Sequence, residues 1–284
     1  MPELPEVETL KRQLQQVIIG KIIAKIDILK TRSFVGNPKL LIGRKIEKIE
    51  RKAKVLLFSL DHKDWQILIH LKMTGQLIYE GVQQRIVGGH PTPDWIAQLP
   101  SKHTRIIFYF TDKSTLYFND MRIFGWIKFI QSRQELEKEF INMNGIEPLN
   151  KYFTWQNLQK IFAKSKRSIK LMIMDPKYLV GVGNIYANDA LFKAKINPQK
   201  PAKNLSLPEI KKLKEAIEFV ISQGIKYGGA SQTNYVHLDG MGGSYQKHFL
   251  VYKKDRQACP NCQGNIKKIK LGGRGTFFCP SCQK

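Results

Sequence analysis

The first residues of the chain have the types and the order that covalent chemistry needs. We expect Met1 to be removed, because initiator Met is usually cleaved before a small residue, and Pro2 then becomes a terminal secondary amine beside Glu3. An α-amino group titrates near pH ~8, so a useful fraction is neutral and nucleophilic at neutral pH. Attack on an aldehyde-level carbon would give an iminium, with Glu3 moving the protons. Taken alone, two such residues more often simply begin a helix.

All four cysteines lie near the end of the chain, as the pairs Cys259-x2-Cys262 and Cys279-x2-Cys282. This spacing is typical of a zinc ribbon, in which four thiolates hold one structural Zn²⁺. Two disulfides or a redox pair are the alternatives. A reducing compartment disfavours disulfides, and nothing nearby is typical of a thioredoxin-like unit. We therefore predict one structural zinc ion bound by the four cysteines.

A helix is predicted to follow Glu3 directly. Pro5 suits the first helical turn, where its missing N–H is no loss, and Glu6 and Glu8 place negative charge near the positive end of the helix dipole. Apolar residues recur at helical spacing on one face, while Glu8 lies four residues before Arg12 on the other. The helix is expected to pack by its apolar face, which leaves the first residues of the chain at its tip.

Short apolar segments separated by turn residues follow between residues 22 and 130. Without intervening helices they predict an antiparallel β-sandwich or barrel, with the first helix and a helix at Gln134–Phe140 packed outside. The predicted strands are Ile46–Ile49, Val55–Leu60, Trp65–Leu71, Thr104–Phe110, Thr115–Phe118 and Gly125–Ile130. A hairpin turn is predicted at Thr111–Ser114. We assign residues 1–143 to this first domain.

A segment rich in Gly, Pro and Asn at residues 144–151 is predicted to be a linker, because the period of the apolar residues becomes helical beyond it. Residues 152–253 form a predicted helical domain. Its helices are Thr154–Lys164 and one that begins at a capping box of Ser206 and Glu209 and ends at Gly224.

The end of the helical domain has a different composition. Residues 228–247 are rich in glycine and small polar residues, which favours a mobile functional loop over a packed element. Residues 254–284 are the predicted zinc finger. The predicted fold class is therefore α+β with several domains.

The chain carries 47 Lys and Arg residues against 23 Asp and Glu, a formal net charge of +24. Such an excess is unlike an enzyme of neutral metabolites and indicates nucleic acid as the partner. A generally basic surface is one alternative. An anionic membrane is another, but no amphipathic lysine-rich terminal helix supports it. No apolar run approaches the ~20 residues of a membrane span, and the acidic N-terminus is unlike a signal peptide, so we expect an intracellular protein.

Two separate stretches resemble one known family. The sequence Pro-Glu-Leu-Pro-Glu-Val-Glu at residues 2–8 resembles the N-terminus of the formamidopyrimidine-DNA glycosylases. Residues 170–187, an apolar helix, a turn and a glycine-led helix, are similar to the helix–two-turn–helix motif of the same family. By this resemblance Lys170 and Asn184 hold the DNA backbone. N–H groups at Gly183 and Asn184 would also suit a phosphate.

Residues 70–75 and 119–125 are similar to the strand-end loops with which the family fills the duplex after a base is flipped out. Met73, Arg122 and Phe124 are apolar or planar, and side chains of these kinds offset the lost base stacking. The alternative for Met73 and Phe124 is packing in the core.

The resemblance also implies contacts near the reacting nucleotide. His70 is expected to contact DNA, and Lys54 is expected near the reacting nucleotide and its phosphates as a third catalytic residue. Arg274, between the cysteine pairs, is expected to hold the phosphates that flank the flipped nucleotide. The family often has Pro and Arg where this chain has Met121 and Ile123. We therefore expect the stiffness of this loop and one contact with the DNA backbone to differ from those in the family.

Members of the family remove oxidised purines such as 8-oxoguanine and formamidopyrimidines, and then cleave the strand by β- and δ-elimination through a Schiff base. The resemblance implies a bifunctional DNA glycosylase and abasic-site lyase in which Pro2 is the nucleophile, Glu3 the proton shuttle and Glu6 part of the pocket. The expected partner is double-stranded DNA with oxidised bases or abasic sites. We expect a monomer in the bacterial cytoplasm, associated with the nucleoid through DNA.

Two alternatives stay open. A sister group acts on oxidised pyrimidines, and its members usually begin Pro-Glu-Gly-Pro-Glu, so Leu4 favours the purine branch. In relatives the glycine-rich loop covers the damaged base, and many carry Arg or Lys where we align Thr233, a difference that bears on the range of lesions. The other alternative is a non-catalytic zinc-ribbon protein that binds DNA or damage, and covalent chemistry at Pro2 separates the two.

Overall fold

The computed structural model describes residues 1–82, 84–90, 92–95, 97–230, 243–262 and 264–284. The chain divides into two units, residues 1–140 with 228–244, and residues 141–227 with 245–284. This division differs from the predicted domains in two respects. The helical region and the zinc finger belong to one unit, and the glycine-rich segment groups with the first unit, where its described ends contact Glu6 and Thr9.

Two five-stranded sheets make up the first unit. Its strands are β1 (Ile23–Ile28), β2 (Phe34–Val35), β3 (Ile46–Lys52), β4 (Val55–Leu60), β5 (Gln66–His70), β6 (Gly75–Glu80), β7 (Arg85–Gly89), β8 (Thr104–Phe110), β9 (Thr115–Asp120) and β10 (Trp126–Ile130). One sheet has the order β1-β8-β9-β6-β7 and the other β2-β10-β5-β4-β3. The pairs are antiparallel except for the short pair of β2 and β10. The predicted antiparallel sandwich is confirmed.

Helix α1 (Leu4–Ile18) packs by its apolar face on the core that both sheets share. The helix residues in this core are Val7, Leu10, Leu14 and Ile18. Gly88 in β7 allows the close approach, because a Cβ there would lie 2.6 Å from Leu10 Cδ1. The short helix α2 (Arg133–Phe140) follows the last strand. The spacing of apolar residues therefore predicted the buried face of α1 correctly.

The sequence-based list of strands omitted β1, β2, β6 and β7. β1 lies at the edge of its sheet, and only Ile23 of its residues is buried, with Lys25 exposed and Asp27 half-buried. β7 ends in two glycines, which lower strand propensity. These strands form because neighbouring strands supply partners for their backbone N–H and C=O groups, which a local pattern does not reveal.

The second unit combines helices with a β-hairpin. Its elements are α3 (Trp155–Phe162), α4 (Ile169–Ile173), α5 (Asn184–Lys193), α6 (Leu207–Lys226), β11 (Lys267–Leu271) and β12 (Arg274–Phe278). The predicted capping box of Ser206 and Glu209 begins α6. Gly224 does not end this helix as predicted: a Cβ there would lie 2.5 Å from the Tyr186 ring, so the glycine permits close packing of α5 and α6. None of the helices in the described ranges is long and apolar enough to cross a membrane.

Candidate functional site

The residues predicted to carry covalent chemistry lie at a buried helix start. Pro2 is buried and Glu3 is 3% exposed, whereas Met1 before them is 44% exposed. Glu3 and Glu6 form a capping box, in which the Glu3 N–H donates to Glu6 Oε2 at 2.7 Å. Such a box provides partners for N–H groups that the first helical turn cannot satisfy itself. The start of α1 is therefore both held in place and shielded from bulk water.

The other Glu6 oxygen binds the beginning of the glycine-rich segment. Oε1 accepts the Ala230 N–H at 2.7 Å. Gly229, with a φ of +82°, packs on the same side chain, and Ala230 forms an antiparallel bridge with Ser244. Residues 231–242, Thr233 included, lie outside the described part of the chain, and so does most of the predicted mobile loop. Glu6 was predicted to shape a pocket, and nothing in the sequence pointed to this contact.

His70 and Lys54 lie at adjoining strand ends in one sheet. His70 ends β5 and is 8% exposed, and Lys54 is half-buried in the turn between β3 and β4. Burial, followed by the positive charges of Lys72 and Lys54, lowers the pKa of His70 to about 3. Nδ1 of the ring accepts the Lys72 N–H at 3.0 Å, so the neutral ring carries its proton on Nε2. His70 can therefore donate one uncharged hydrogen bond, while lysines supply the positive charge nearby.

The turn that carries Lys54 is braced against α1. Arg51 Nε donates to Glu8 Oε2 at 3.0 Å, and its Nη1 donates to the Ala53 carbonyl at 2.7 Å. Burial acts to raise the pKa of Glu8, but hydrogen bonds from three cationic neighbours, Arg51 among them, lower it below its ordinary value. The charged Glu8 thus links the helix to this turn, a role that its predicted pairing with Arg12 did not suggest.

Met73, Arg122 and Phe124 come together at the ends of two strands. Arg122 Nη1 donates to Met73 Sδ at 3.4 Å, and its guanidinium lies 4.6 Å from the centroid of the Phe124 ring. Met73 is 43% exposed and Phe124 is 45% exposed. The alternative of core packing therefore does not hold for these two side chains.

A buried carboxylate that the sequence analysis missed holds both loops. Asp120 is 0% exposed and accepts the Arg122 N–H at 3.1 Å, the Gly125 N–H at 2.6 Å and the Thr74 hydroxyl. Between these donors Ile123 has a φ of +56°, a strained conformation for a β-branched residue. The sequence feature that could have identified Asp120 is an aspartate at the end of an apolar strand, just before the loop that contains Arg122.

His90 is a second residue that the sequence analysis missed. Burial, followed by the positive charge of the N-terminal amine, lowers its pKa, and Asp120 opposes this effect. The buried Gln76 amide holds the segment by donating to the His90 carbonyl and to Thr92 Oγ1, the latter at 2.8 Å. His90 therefore lies near the N-terminus of the chain, although no local motif marks it.

In the second unit, the predicted helix–two-turn–helix motif binds the tip of the hairpin. Lys170 is 0% exposed, and its Nζ donates to Thr276 Oγ1 at 2.7 Å and to the Gly275 carbonyl at 3.1 Å. Asn184 Nδ2 donates to the same carbonyl at 3.1 Å. The prediction that Lys170 itself holds DNA does not fit this placement, because a fully buried ammonium presents no surface to a phosphate. We assign Lys170 to positioning the hairpin, and Asn184, half-exposed, stays a predicted DNA contact.

Arg274 is exposed at the tip of the hairpin. It follows Gly272 and Gly273, whose φ values of +55° and +75° form a two-residue turn that favours glycine. The turn packs against α4, because a Cβ on Gly272 would lie 2.5 Å from the Leu171 side chain. The hairpin therefore presents an exposed guanidinium from a rigid support.

The four cysteines form one cluster. All four Sγ atoms lie within 4.8 Å of one another, with Cys259 to Cys282 at 3.8 Å and Cys262 to Cys279 at 3.5 Å. Four sulfurs bound tetrahedrally at ~2.3 Å from zinc lie roughly 3.8 Å apart. The cluster therefore fits one structural Zn²⁺ with four thiolate ligands, which leaves no coordination position for a substrate.

Gln283 connects the metal site to the helices of the same unit. It is 1% exposed; its Oε1 accepts the Cys279 N–H at 2.9 Å and its Nε2 donates to the Ile196 carbonyl at 2.9 Å. Phe277 of the hairpin shares an apolar cluster with Phe192 of α5. The zinc site, the hairpin and α5 are thus packed together. These contacts explain why the helical region and the zinc finger belong to one unit.

Three family models match successive parts of the chain. The formamidopyrimidine-DNA glycosylase N-terminal domain matches residues 1–127, and the formamidopyrimidine-DNA glycosylase H2TH domain matches residues 144–236. A zinc finger found in FPG and IleRS matches residues 256–284.

Similar proteins are alike over their whole length. A formamidopyrimidine-DNA glycosylase from Listeria monocytogenes serotype 4b (strain F2365) is 37% identical over 289 residues, with 100% of both chains covered. A Lactococcus lactis FPG variant in complex with Fapy-dG DNA has a TM-score of 0.87 at 32% identity, with 100% of both chains covered. Lactococcus lactis Fpg in complex with DNA containing an abasic site has a TM-score of 0.87 at 31% identity, with 99% of both covered.

Proposed function

Because the chain belongs to the formamidopyrimidine-DNA glycosylase family, we propose that it excises oxidised purines from duplex DNA and then cuts the abasic strand through a Schiff base on Pro2. The observation that carries this proposal is the buried Pro2 and Glu3 at the start of α1, held there by Glu6. Relatives solved with Fapy-dG DNA and with abasic DNA support the proposed substrate and intermediate. The non-catalytic alternative gives no reason to hold an amine and a carboxylate in this way.

The proposed reaction uses the N-terminal amine after Met1 has been removed. The Pro2 nitrogen bonds to C1′ of the damaged nucleotide while the C1′–N bond to the base breaks, and the base leaves with a proton. Loss of the amine proton and opening of the sugar, whose ring oxygen takes a proton, leave an iminium between Pro2 and C1′. Glu3, buried beside Pro2, moves these protons. Elimination then expels first the 3′-phosphate and next the 5′-phosphate.

The other site residues are proposed to hold the DNA. Lys54 supplies positive charge near the reacting nucleotide, and Arg274 holds phosphates from the tip of the hairpin. His70 donates from Nε2 as a neutral group, so its contact contributes affinity without releasing a counterion. Zinc supplies structure and no chemical step, because all its ligand positions are filled by cysteine.

The exposed cluster of Met73, Arg122 and Phe124 is proposed to fill the gap that the flipped base leaves. Removing Phe124 by Phe124→Ala should slow base release from an intact damaged duplex by about tenfold or more, because extrusion costs a few kcal/mol. Strand cutting at a preformed abasic site should change much less, since no base has to leave the stack. Val82→Ala, which also removes a highly exposed apolar side chain, is the control. Equal losses on both substrates would contradict the wedge role.

The substrate class is tested with a panel of duplexes, each carrying 8-oxoguanine, a formamidopyrimidine or an oxidised pyrimidine. We expect release of both oxidised purines to be faster than release of the pyrimidine, in line with Leu4 and with the Fapy-dG complex of a relative. Product analysis by mass spectrometry measures each base directly. Release of the pyrimidine alone would favour the sister group.

A further inference from the structure

The Glu6 carboxylate connects two backbone segments that are far apart in the sequence. Its Oε2 accepts the Glu3 N–H and its Oε1 accepts the Ala230 N–H, both at 2.7 Å. Both partners are donors, so each terminal atom of the side chain must be an acceptor. A carboxylate meets this requirement, whereas the amide of glutamine has an acceptor on one side and a donor on the other. Hydrogen bonds to an ionised acceptor are also stronger than those between neutral groups.

The segment that meets Glu6 is shaped for close approach. We call Gly228–Ala230, together with Gly243 and Ser244, the loop neck. Gly229 has a φ of +82°, and a Cβ there would lie 2.8 Å from Glu6 Cγ and 2.9 Å from Glu6 Oε1. A Cβ on Gly243 would collide with the carbonyl oxygens of the facing neck residues. Glycine at 229 therefore lets the neck rest directly on the Glu6 side chain, and glycine at 243 lets the two sides of the neck approach each other.

We infer that Glu6 is a positioning residue that couples the loop neck to the Pro2 and Glu3 start of α1, an inference that rests on the proposed function. The nucleotide attacked by Pro2 carries its base one bond from the reacting carbon, and the loop begins one side chain away from the Glu3 backbone. When the loop neck contacts Glu6, it fixes the Glu6 carboxylate, which in turn fixes the Glu3 backbone. Glu3 is thereby held in the position required for proton transfer during base release.

The coupling predicts a difference between two substrates. Base release breaks a glycosidic bond and depends on accurate proton transfer by Glu3. A preformed abasic site has no base to expel, and its hemiacetal opens to the aldehyde without glycosidic bond cleavage, so Schiff-base formation there depends less on the neck. A merely structural role for Glu6 would lower both activities together.

The test is a double-mutant cycle with Glu6→Gln and Gly229→Ala. Each variant removes the link from one side: the amide cannot accept both N–H groups, and the methyl group displaces the neck. We expect each to slow release of 8-oxoguanine from duplex by about tenfold or more, the effect of losing one hydrogen bond to a charged group. The double variant should be no slower than the slower single variant, because both changes break the same link. Borohydride trapping at a preformed abasic site should be nearly unchanged.

Gly20→Ala is the matched control. Gly20 has a φ of +87°, close to that of Gly229, but no atom lies within 4 Å of a Cβ built there. It therefore reproduces the backbone strain without the collision, so a fall in Tm from that strain should leave base release at the wild-type rate.

The outcomes separate the inference from the function on which it rests. Additive losses in the double variant, or equal losses on both substrates, with Pro2 still trapped in the wild type, would overturn the coupling alone. Trapping of the wild type at a residue other than Pro2 would overturn the proposed function and the coupling with it. Non-additive losses confined to base release would support both.

Discussion

Borohydride is expected to trap a covalent protein–DNA adduct through Pro2, and an extra residue retained ahead of Pro2 is expected to abolish that adduct completely. Blocking the amine leaves no secondary nitrogen to form the iminium, whereas the capping box at Glu3 and Glu6 does not need a free terminus. The measurement is incubation with an 8-oxoguanine duplex and borohydride, followed by peptide mapping. An adduct on a lysine would refute this mechanism.

The companion variant Glu3→Gln should keep duplex binding but slow base release by about 100-fold or more, because the amide has nearly the same shape and cannot carry a proton. Glu137→Gln is the control, since Glu137 is an exposed carboxylate on α2 paired with Arg133. Binding affinity and single-turnover base release, measured on the same duplex, separate the two effects. Unchanged release by Glu3→Gln would remove Glu3 from the proton pathway.

Removing zinc, by chelation or by Cys262→Ser, is expected to weaken duplex binding strongly while Pro2 stays trappable at saturating DNA. Zinc-finger peptides gain an apparent free energy of ~10–16 kcal/mol from binding their metal. The hairpin has only a small apolar cluster, which it shares with α5. Without the metal, the turn that presents Arg274 should lose its support. Pro2 lies in the other unit and needs no metal for iminium formation.

Arg274→Ala should reproduce part of this effect, and the slope of log affinity against log salt should fall by about 0.9 for one lost phosphate contact. Lys170→Met tests whether the hairpin needs its support from Lys170. The substitution removes the buried ammonium that binds the hairpin, while the four cysteines stay unchanged. We expect it to weaken binding with zinc retained, as measured by metal analysis. Tight binding of damaged duplex by the zinc-free protein would show that the ribbon takes no part in binding DNA.

Much of the fold followed from local spacing, and the family followed from the resemblance of several short motifs. The helical period of the first residues predicted the buried face of α1, and short apolar segments without helices between them predicted the antiparallel sandwich. The paired cysteines predicted the zinc site, whose Sγ atoms do lie close together. These features can be predicted because each depends on residues that are near one another in the chain.

Other features depended on partners that are distant in the sequence. Lys170 has the type and place of a phosphate contact, but burial against Gly275 and Thr276 makes it a support for the hairpin. Gly224 has the type of a helix stop, but the Tyr186 ring beside it makes it a packing position inside α6. A residue type shows what a side chain is able to do, and its neighbours determine which of those roles it performs.

The sequence by itself determined which residues could perform the chemistry: the Pro2 amine, the Glu3 carboxylate and the four thiolates that suit zinc. Only the tertiary structure decided how they are held. The Ala230 N–H on Glu6, the Thr74 hydroxyl on Asp120 and the hairpin on Lys170 each join segments separated by intervening chain. A buried carboxylate or ammonium needs such partners to offset its desolvation, and no local pattern identifies which distant backbone group will provide them.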